Sequence, residues 1–255
     1  MKLVTWNVNS IKARLPRVLE LLEVHRPDVV CLQECKATAE AFPHLAFAEA
    51  GYACADHSAG RWAGVAILAP EGTPPEDVRR GLPGEPSPDE ARWIDAVVAG
   101  VRVASVYVPN GRAVGTPPFA QKLMFLEAMA DRVAEPDGPA VVAGDVNVCP
   151  TDRDVYDPAA FAGATHVTEA ERDRLAAVLD AGQVDVYRHL HPDEIGFTWW
   201  DYRAGHFHKG LGLRIDLIMA SADLADAATA CGIDRDFRKG SKPSDHAPLI
   251  AEFSV

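Results

Sequence analysis

No run of apolar residues in this sequence approaches the roughly 20 that a membrane-spanning helix needs, and its five cysteines include no CxxC pair. Polar residues arrive too early in Met1-Lys2-Leu3-Val4-Thr5-Trp6-Asn7 for the apolar core of a signal peptide. The expected location is therefore the cytoplasm. Cys31, Cys35, Cys54, Cys149 and Cys231 are odd in number, and the Cys31/Cys35 spacing lacks further soft ligands beside it. They read as buried, reduced thiols of a cytosolic protein rather than as a disulfide frame or a zinc site. Basic charge is also scarce: 25 Lys and Arg face 37 Asp and Glu, a net charge of −12. That balance argues against a protein that coats nucleic acid non-specifically, but it allows an enzyme that meets DNA through a local basic surface. No repeat or low-complexity segment stands out.

What remains is an ordinary globular composition, 48% hydrophobic and 24% charged. A chain of 255 residues can bury one large core, so residues 1–255 are read as a single mixed α/β domain. Residues 28–33 and 64–69 are short apolar runs of the kind found in strands covered on both faces. Residues 93–99 and 101–108 flank Gly100, which predicts antiparallel neighbours with a tight connection. Pro16 suits the first position of a helix carrying Val18, Leu19 and Leu22 on one face. Residues 119–134 repeat apolar side chains at helical spacing, and Thr168 with Glu171 forms a capping box before a helix that ends at Gly182. Residues 70–90, rich in Pro and Gly, read as a surface loop. Residues 213–220 and 249–253 supply the last strands.

Polar residues recur where the apolar runs stop. Asn7 follows Leu3-Val4-Thr5-Trp6, Glu34 follows residues 28–33, and Tyr107-Val108-Pro109-Asn110 follows residues 103–106. Gly144-Asp145-Val146-Asn147 closes another run, Asp216 follows Leu213-Arg214-Ile215, and Ser244-Asp245-His246 precedes the last strand. Polar groups are costly in doubly covered strands, so they belong at strand ends, where loops meet water. If those ends converge, the product is an oxygen-rich pocket with one His, suited to a hard divalent cation and a phosphate. Glu34 is a fair metal ligand; Asp145 can hold or deprotonate water, and the Asn147 amide can orient that water or a phosphate oxygen. Taken alone, Asp145 and Asn147 could equally be an Asx-turn after a buried strand. Asp216 would be an expensive unpaired charge among Ile215, Leu217 and Ile218, and His246 is its natural partner. His206 and His208 form an HxH pair without a third soft ligand beside it, which disfavours zinc there. Two basic clusters, Lys12/Arg14/Arg17 and Arg235/Arg238/Lys239/Lys242, adjoin these motifs and are expected to contact phosphates.

Six blocks carry a resemblance that spans essentially the whole chain. They are Thr5-Trp6-Asn7-Val8-Asn9-Ser10-Ile11-Lys12-Ala13-Arg14, Leu32-Gln33-Glu34-Cys35-Lys36, Tyr107-Val108-Pro109-Asn110-Gly111, Gly144-Asp145-Val146-Asn147, Gly212-Leu213-Arg214-Ile215-Asp216-Leu217-Ile218 and Pro243-Ser244-Asp245-His246-Ala247-Pro248. In this order they resemble the exonuclease III family of apurinic/apyrimidinic endonucleases, within the wider endonuclease–exonuclease–phosphatase superfamily. The resemblance implies a DNase I-like, four-layer α/β sandwich in which two mixed β-sheets face each other with helices outside. It implies a monomer that incises duplex DNA 5′ to abasic sites and clears nucleotides or blocking groups from 3′ ends. Mg²⁺ or Mn²⁺ would be held by Glu34, with Asn7 close by and Asp245 a further ligand. Asp145, Asn147, Tyr107 and His246 paired with Asp216 would act on the scissile phosphate, Asn110 would contact it, and Trp199, Leu213 and Ile215 would line a pocket for the abasic sugar. Within the family the general base is either Asp145 or the Asp216–His246 pair. Two departures are visible: Asn9 stands where some relatives have Asp, and Cys35 where Thr is usual.

Overall fold

The computed structural model describes residues 1–255. The chain runs β1 (Lys2–Asn7), α1 (Ile11–His25), β2 (Val29–Gln33), α2 (His44–Glu49), β3 (Tyr52–His57), β4 (Val65–Pro70), β5 (Glu76–Arg80), β6 (Trp93–Val98) and β7 (Val101–Tyr107). It continues α3 (Pro117–Ala134), β8 (Val141–Asp145), α4 (Glu169–Asp180), β9 (Gln183–Asp185), α5 (Val186–Leu190), α6 (His206–Lys209), β10 (Asp216–Ser221), α7 (Ala222–Asp226), β11 (Ala228–Ile233) and β12 (Leu249–Phe253). The strands form two six-stranded mixed sheets, β11-β12-β1-β2-β4-β3 and β5-β6-β7-β8-β10-β9. The sheets face each other with helices outside, the four-layer sandwich that the resemblance implies.

Strand alternation explains both the layering and the position of the polar residues. Successive side chains point to opposite faces, so Leu3, Val29, Cys31, Val103, Val141, Ala143, Ile218 and Ala251 meet between the sheets. Their neighbours Val4, Trp6, Val30 and Leu32 pack toward α1 and α2. Val142, Leu217 and Met219 pack with Phe125, Leu126 and Met129 of α3. The inward parity continues to Asn7, Gln33, Tyr107, Asp145 and Asp216. The register places Asn7 opposite Gln33, and Asp145 opposite both Tyr107 and Asp216. The gap between the sheets is therefore apolar through most of its depth and polar at one edge. Gly144 permits this closeness, because a Cβ there would lie 1.9 Å from the Val106 carbonyl oxygen.

Three boundaries differ from the sequence reading. The first helix begins at Ile11, with Pro16 inside it and exposed. Asn9 and Ser10 adopt positive φ (45° and 95°). The amides of Ser10 and Ile11 then donate to the Glu34 and Cys35 carbonyls, so the helix is started from β2 and not by the proline. The span read as a loop contains β5, an exposed edge strand whose pairing with β6 shifts register between Glu76 and Arg79. Its charged sequence gave no alternation to detect. Leu213-Arg214-Ile215 is an extended connector, bridging Val155 and Trp199 through Leu213, and the strand proper starts at Asp216. The Thr168/Glu171 capping box is formed, and Ala99 and Gly100 make the tight connection with φ of 49° and 83°.

Candidate active site

The polar edge gathers side chains from both sheets into one cavity of about 200 Å³, lined by Glu34, Tyr107, Asn110, Asp145, Asn147, His166, Trp199, Leu213, Ile215, Asp245 and His246. Every expected site residue except Asn7 and Asp216 lines it, and those two lie directly behind. Asn7 is fully buried and donates from Nδ2 to Glu34 Oε1 (2.7 Å) and to Asp145 Oδ2 (2.9 Å). Its Oδ1 accepts from the Asn9 amide at 3.0 Å. Its amide nitrogen thus joins the two carboxylates, while its oxygen is turned toward the Asn9 amide. Glu34 itself sits at φ 50°, a strained conformation that turns its side chain out of the strand direction.

His246 Nδ1 meets Asp216 Oδ2 at 2.8 Å, and its Nε2 lies 3.8 Å from Asp145 Oδ2. Burial disfavours the imidazolium, but the charges of Asp216, Asp145 and Asp245 outweigh it and push the His246 pKa up to about 10. Asp145 is pushed the other way from an ordinary carboxylate. Its burial, with the neighbouring acids Asp216 and Glu34 and against the pull of His246, raises its pKa to about 8. The Tyr107 phenol is raised well above its usual value by burial and by the same two acids, Glu34 and Asp145. It therefore keeps its proton and can act as a donor. Arg92 stacks on the Tyr107 ring at 4.7 Å.

Glu34, Asp145 and His246 each offer an atom within 4.8 Å of the others. The donor set is mainly hard oxygen, which fits a divalent cation. Asp245 stands a step away, with Oδ1 accepting from Asn9 Nδ2 (3.0 Å) and Oδ2 from Trp199 Nε1 (3.1 Å). Lys36 Nζ reaches Glu34 Oε2 at 2.7 Å and Asn9 Oδ1 at 2.6 Å. Asn147 uses its amide within the protein: Nδ2 donates to the Val108 carbonyl (3.0 Å) and Oδ1 accepts from Asn110 (3.2 Å). It fastens the loop after β7 to the end of β8. Leu213 and Ile215 are buried with Val155 and Cys149, and Trp199 packs against that cluster.

Several residues of the site were not anticipated. His166 shares the cavity at φ 81°, with Nδ1 donating to the Asn147 carbonyl (2.5 Å) and Nε2 lying 3.5 Å from Asn110 Nδ2. Burial and the nearby Lys122 charge lower its pKa to about 4, so the ring is neutral. It lies in an irregular loop where no periodicity could have marked it. Lys122 was not read either, although a cation on the buried face of α3 between Phe119 and Phe125 is a signal that could have found it. It is fully buried, pairs with Glu171, and donates to the carbonyls of Asn147 (2.6 Å) and Asn110 (3.3 Å). Ser244 Oγ donates to the Asn7 carbonyl (2.6 Å), and Trp6 Nε1 to the His246 carbonyl (3.0 Å), so each end of the chain braces the other.

The basic clusters are largely committed to the fold. Arg14 donates to the Asn9 and Pro243 carbonyls and to the Tyr202 hydroxyl, and Arg17 stacks on Phe237. Arg238 is buried over Tyr202 and Phe207. Lys12, Arg235, Lys239 and Lys242 remain exposed, with Arg235 over the Trp200 and Phe207 rings and Lys239 paired with Asp236.

The model of the Endonuclease/Exonuclease/phosphatase family matches residues 4–246. Exodeoxyribonuclease III of Haemophilus influenzae is 32% identical, over 99% of this chain and all of that protein. The chain belongs to the exonuclease III family. Among solved structures, a 3′–5′ exonuclease from Neisseria meningitidis superposes with a TM-score of 0.96 and 40% identity, each chain covered completely. An AP endonuclease from Archaeoglobus fulgidus gives a TM-score of 0.96 and 38% identity, again with complete coverage. Two structures with different named activities are thus equally similar to it in backbone.

Proposed function

We propose that this protein is a DNA-repair phosphodiesterase that cuts duplex DNA 5′ to abasic sites and clears nucleotides or blocking groups from 3′ ends. The carrying observation is the buried chain Asp216–His246–Asp145–Asn7–Glu34, which puts a cationic imidazole beside an acid of unusually high pKa at the mouth of one cavity. Glu34 and Asp145 would hold Mg²⁺ or Mn²⁺, with Asp245 on the same cavity as a further ligand and Asn7 supporting the two acids from behind. The cation would supply charge neutralisation at the phosphate. Asp145 would align the attacking water and accept its proton. His246, kept protonated by Asp216, would donate from Nε2 to a non-bridging oxygen and stabilise the charge that builds in the transition state. The protonated Tyr107 phenol would stand by the departing oxygen, and Asn110, fixed by Asn147, would bind the phosphate. Trp199, Leu213 and Ile215 would form the wall against the sugar. We further take the protein to act as a cytoplasmic monomer, nucleoid-associated during repair. No helix is long and apolar enough to cross a membrane.

One observation favours 3′-end processing as the dominant activity. The His166 ring lines the same cavity as Trp199, Leu213 and Ile215, where an extrahelical abasic sugar would have to fit. The deciding assay compares Mg²⁺-dependent cleavage of a duplex bearing one abasic-site analogue with release from recessed and 3′-phosphorylated ends, using EDTA controls. Metal-dependent turnover of either substrate supports the nuclease reading, and turnover of neither by folded protein overturns it. Glycine accepts φ 81° without strain, so His166→Gly should raise abasic incision relative to 3′-end release by about tenfold or more. An unchanged ratio would show that the ring does not govern access.

A further inference from the structure

A second cavity, of about 370 Å³, adjoins the catalytic one and shares Tyr107 and Asn110 with it. Trp62, 71% exposed, is among its lining residues. Gly60 donates to the Ala37 carbonyl (3.0 Å) and Gly64 to Ala91 (2.9 Å), and Lys36 donates back to Ala63 (2.8 Å). The backbone on either side of Trp62 is thus bonded to the segment that follows Glu34 and to Ala91, and the indole lines the second cavity. The Arg61 guanidinium lies over it, 4.6 Å from the ring centroid. A large apolar ring presented to water gains nothing for the fold. The lining also includes Arg112, exposed and at φ 55°, whose amide donates to Asn110 Oδ1 (3.1 Å). A flat aromatic face, a free guanidinium and polar side chains such as Gln121 are the chemistry that takes a base, a phosphate and a sugar edge.

We propose that this groove is a single-nucleotide subsite. An unpaired nucleotide flanking the scissile phosphate stacks its base on Trp62 and sets its phosphate against Arg112. The proposal rests on the nuclease reading of the adjacent cavity, and it gives the enzyme a hold on a frayed end that a paired duplex cannot offer.

Binding of a short oligothymidylate in EDTA, followed by tryptophan fluorescence, tests it, because Trp6, Trp93 and Trp200 are buried and Trp62 is the most exposed indole. Stacking should quench the emission of the wild-type protein. Trp62→Ala should lose most of that quench, weaken binding about fivefold or more and raise KM for a frayed 3′ end with kcat little changed; Trp62→Phe should restore much of the affinity. Arg112→Ala should weaken binding without removing the quench. Hydrolysis of bis(p-nitrophenyl) phosphate, which has no flanking nucleotide, should be unaltered in all three variants. Wild-type cleavage of DNA with an unchanged KM in Trp62→Ala would overturn the subsite and leave the nuclease reading standing. Hydrolysis of the small diester with no binding or cutting of DNA would remove both.

Discussion

The pair of residues with opposed electrostatics, Asp145 and His246, concentrates what this site can do. Each is nearly buried, and each has the ionisation that its surroundings, not its residue type, select. Asp145→Asn removes the proton acceptor and His246→Ala removes the charged donor, so each should lower DNA cleavage by about 10²-fold or more. Circular dichroism should show the fold intact; near-normal turnover by either purified variant would refute its role. The raised pKa of Asp145 carries a second consequence. Below about pH 8 the cation-free site holds a proton on Asp145 that a divalent ion must displace. Affinity for Mn²⁺ should therefore rise with pH, by about tenfold per unit, and level off above the Asp145 pKa. Calorimetric titration in buffers of different ionisation enthalpy would register the released proton near pH 7. Asp145→Asn should bind weakly with little pH dependence, and a wild-type affinity flat from pH 6 to 8 would contradict the linkage.

At the level of strands and helices, site geometry follows from parity. Asn7, Tyr107, Asp145 and Asp216 face one another because each sits an even number of residues from an inward apolar side chain, on strands whose registers align. That much was legible in the sequence, as polar residues ending apolar runs, and so was the need of Asp216 for a histidine. The start of α1 was not, because its signal is tertiary: carbonyls of Glu34 and Cys35 accept its first amides. Nor was β5, whose charged edge strand has no buried face to impose alternation. His166 escaped for a similar reason, since its position is set by hydrogen bonds to Asn147 and Glu171 and not by any local pattern. Lys122 on α3 and Glu171 on α4 form the device that fixes this loop. Glu171 also accepts from Thr165 Oγ1 (2.8 Å), the His166 amide (2.9 Å) and Thr168 Oγ1 (2.7 Å). Removing the cation strands a buried carboxylate, so Lys122→Met should cost about 3–5 kcal/mol in urea unfolding. A loss below about 1 kcal/mol would mean that water or a rearranged loop replaces the ammonium.

For the molecule as a whole, the difficulty is electrostatic: a protein of net charge −12 must approach a polyanion. Two expected basic clusters have mostly been absorbed into the architecture, with Arg14 tying the Asn9 and Pro243 segments together and Arg238 buried under Tyr202 and Phe207. Arg112 lines the second cavity, Arg61 lies over the Trp62 ring there, and Lys12 and Lys242 are exposed with no ion-pair partner. Three or four phosphate contacts release a corresponding number of counterions, so log Kd for a short duplex should change with log salt at a slope of about 3–4. Between 50 and 200 mM salt, affinity should then fall about 100-fold. Neutralising Lys12 and Lys242 together should lower the slope by about 2 without altering hydrolysis of a small diester. A slope near 6 or above would mean that the committed arginines are released on binding and that the architecture rearranges around DNA. A slope near 1 would place recognition in the cavities themselves, with the overall charge acting only to weaken the encounter.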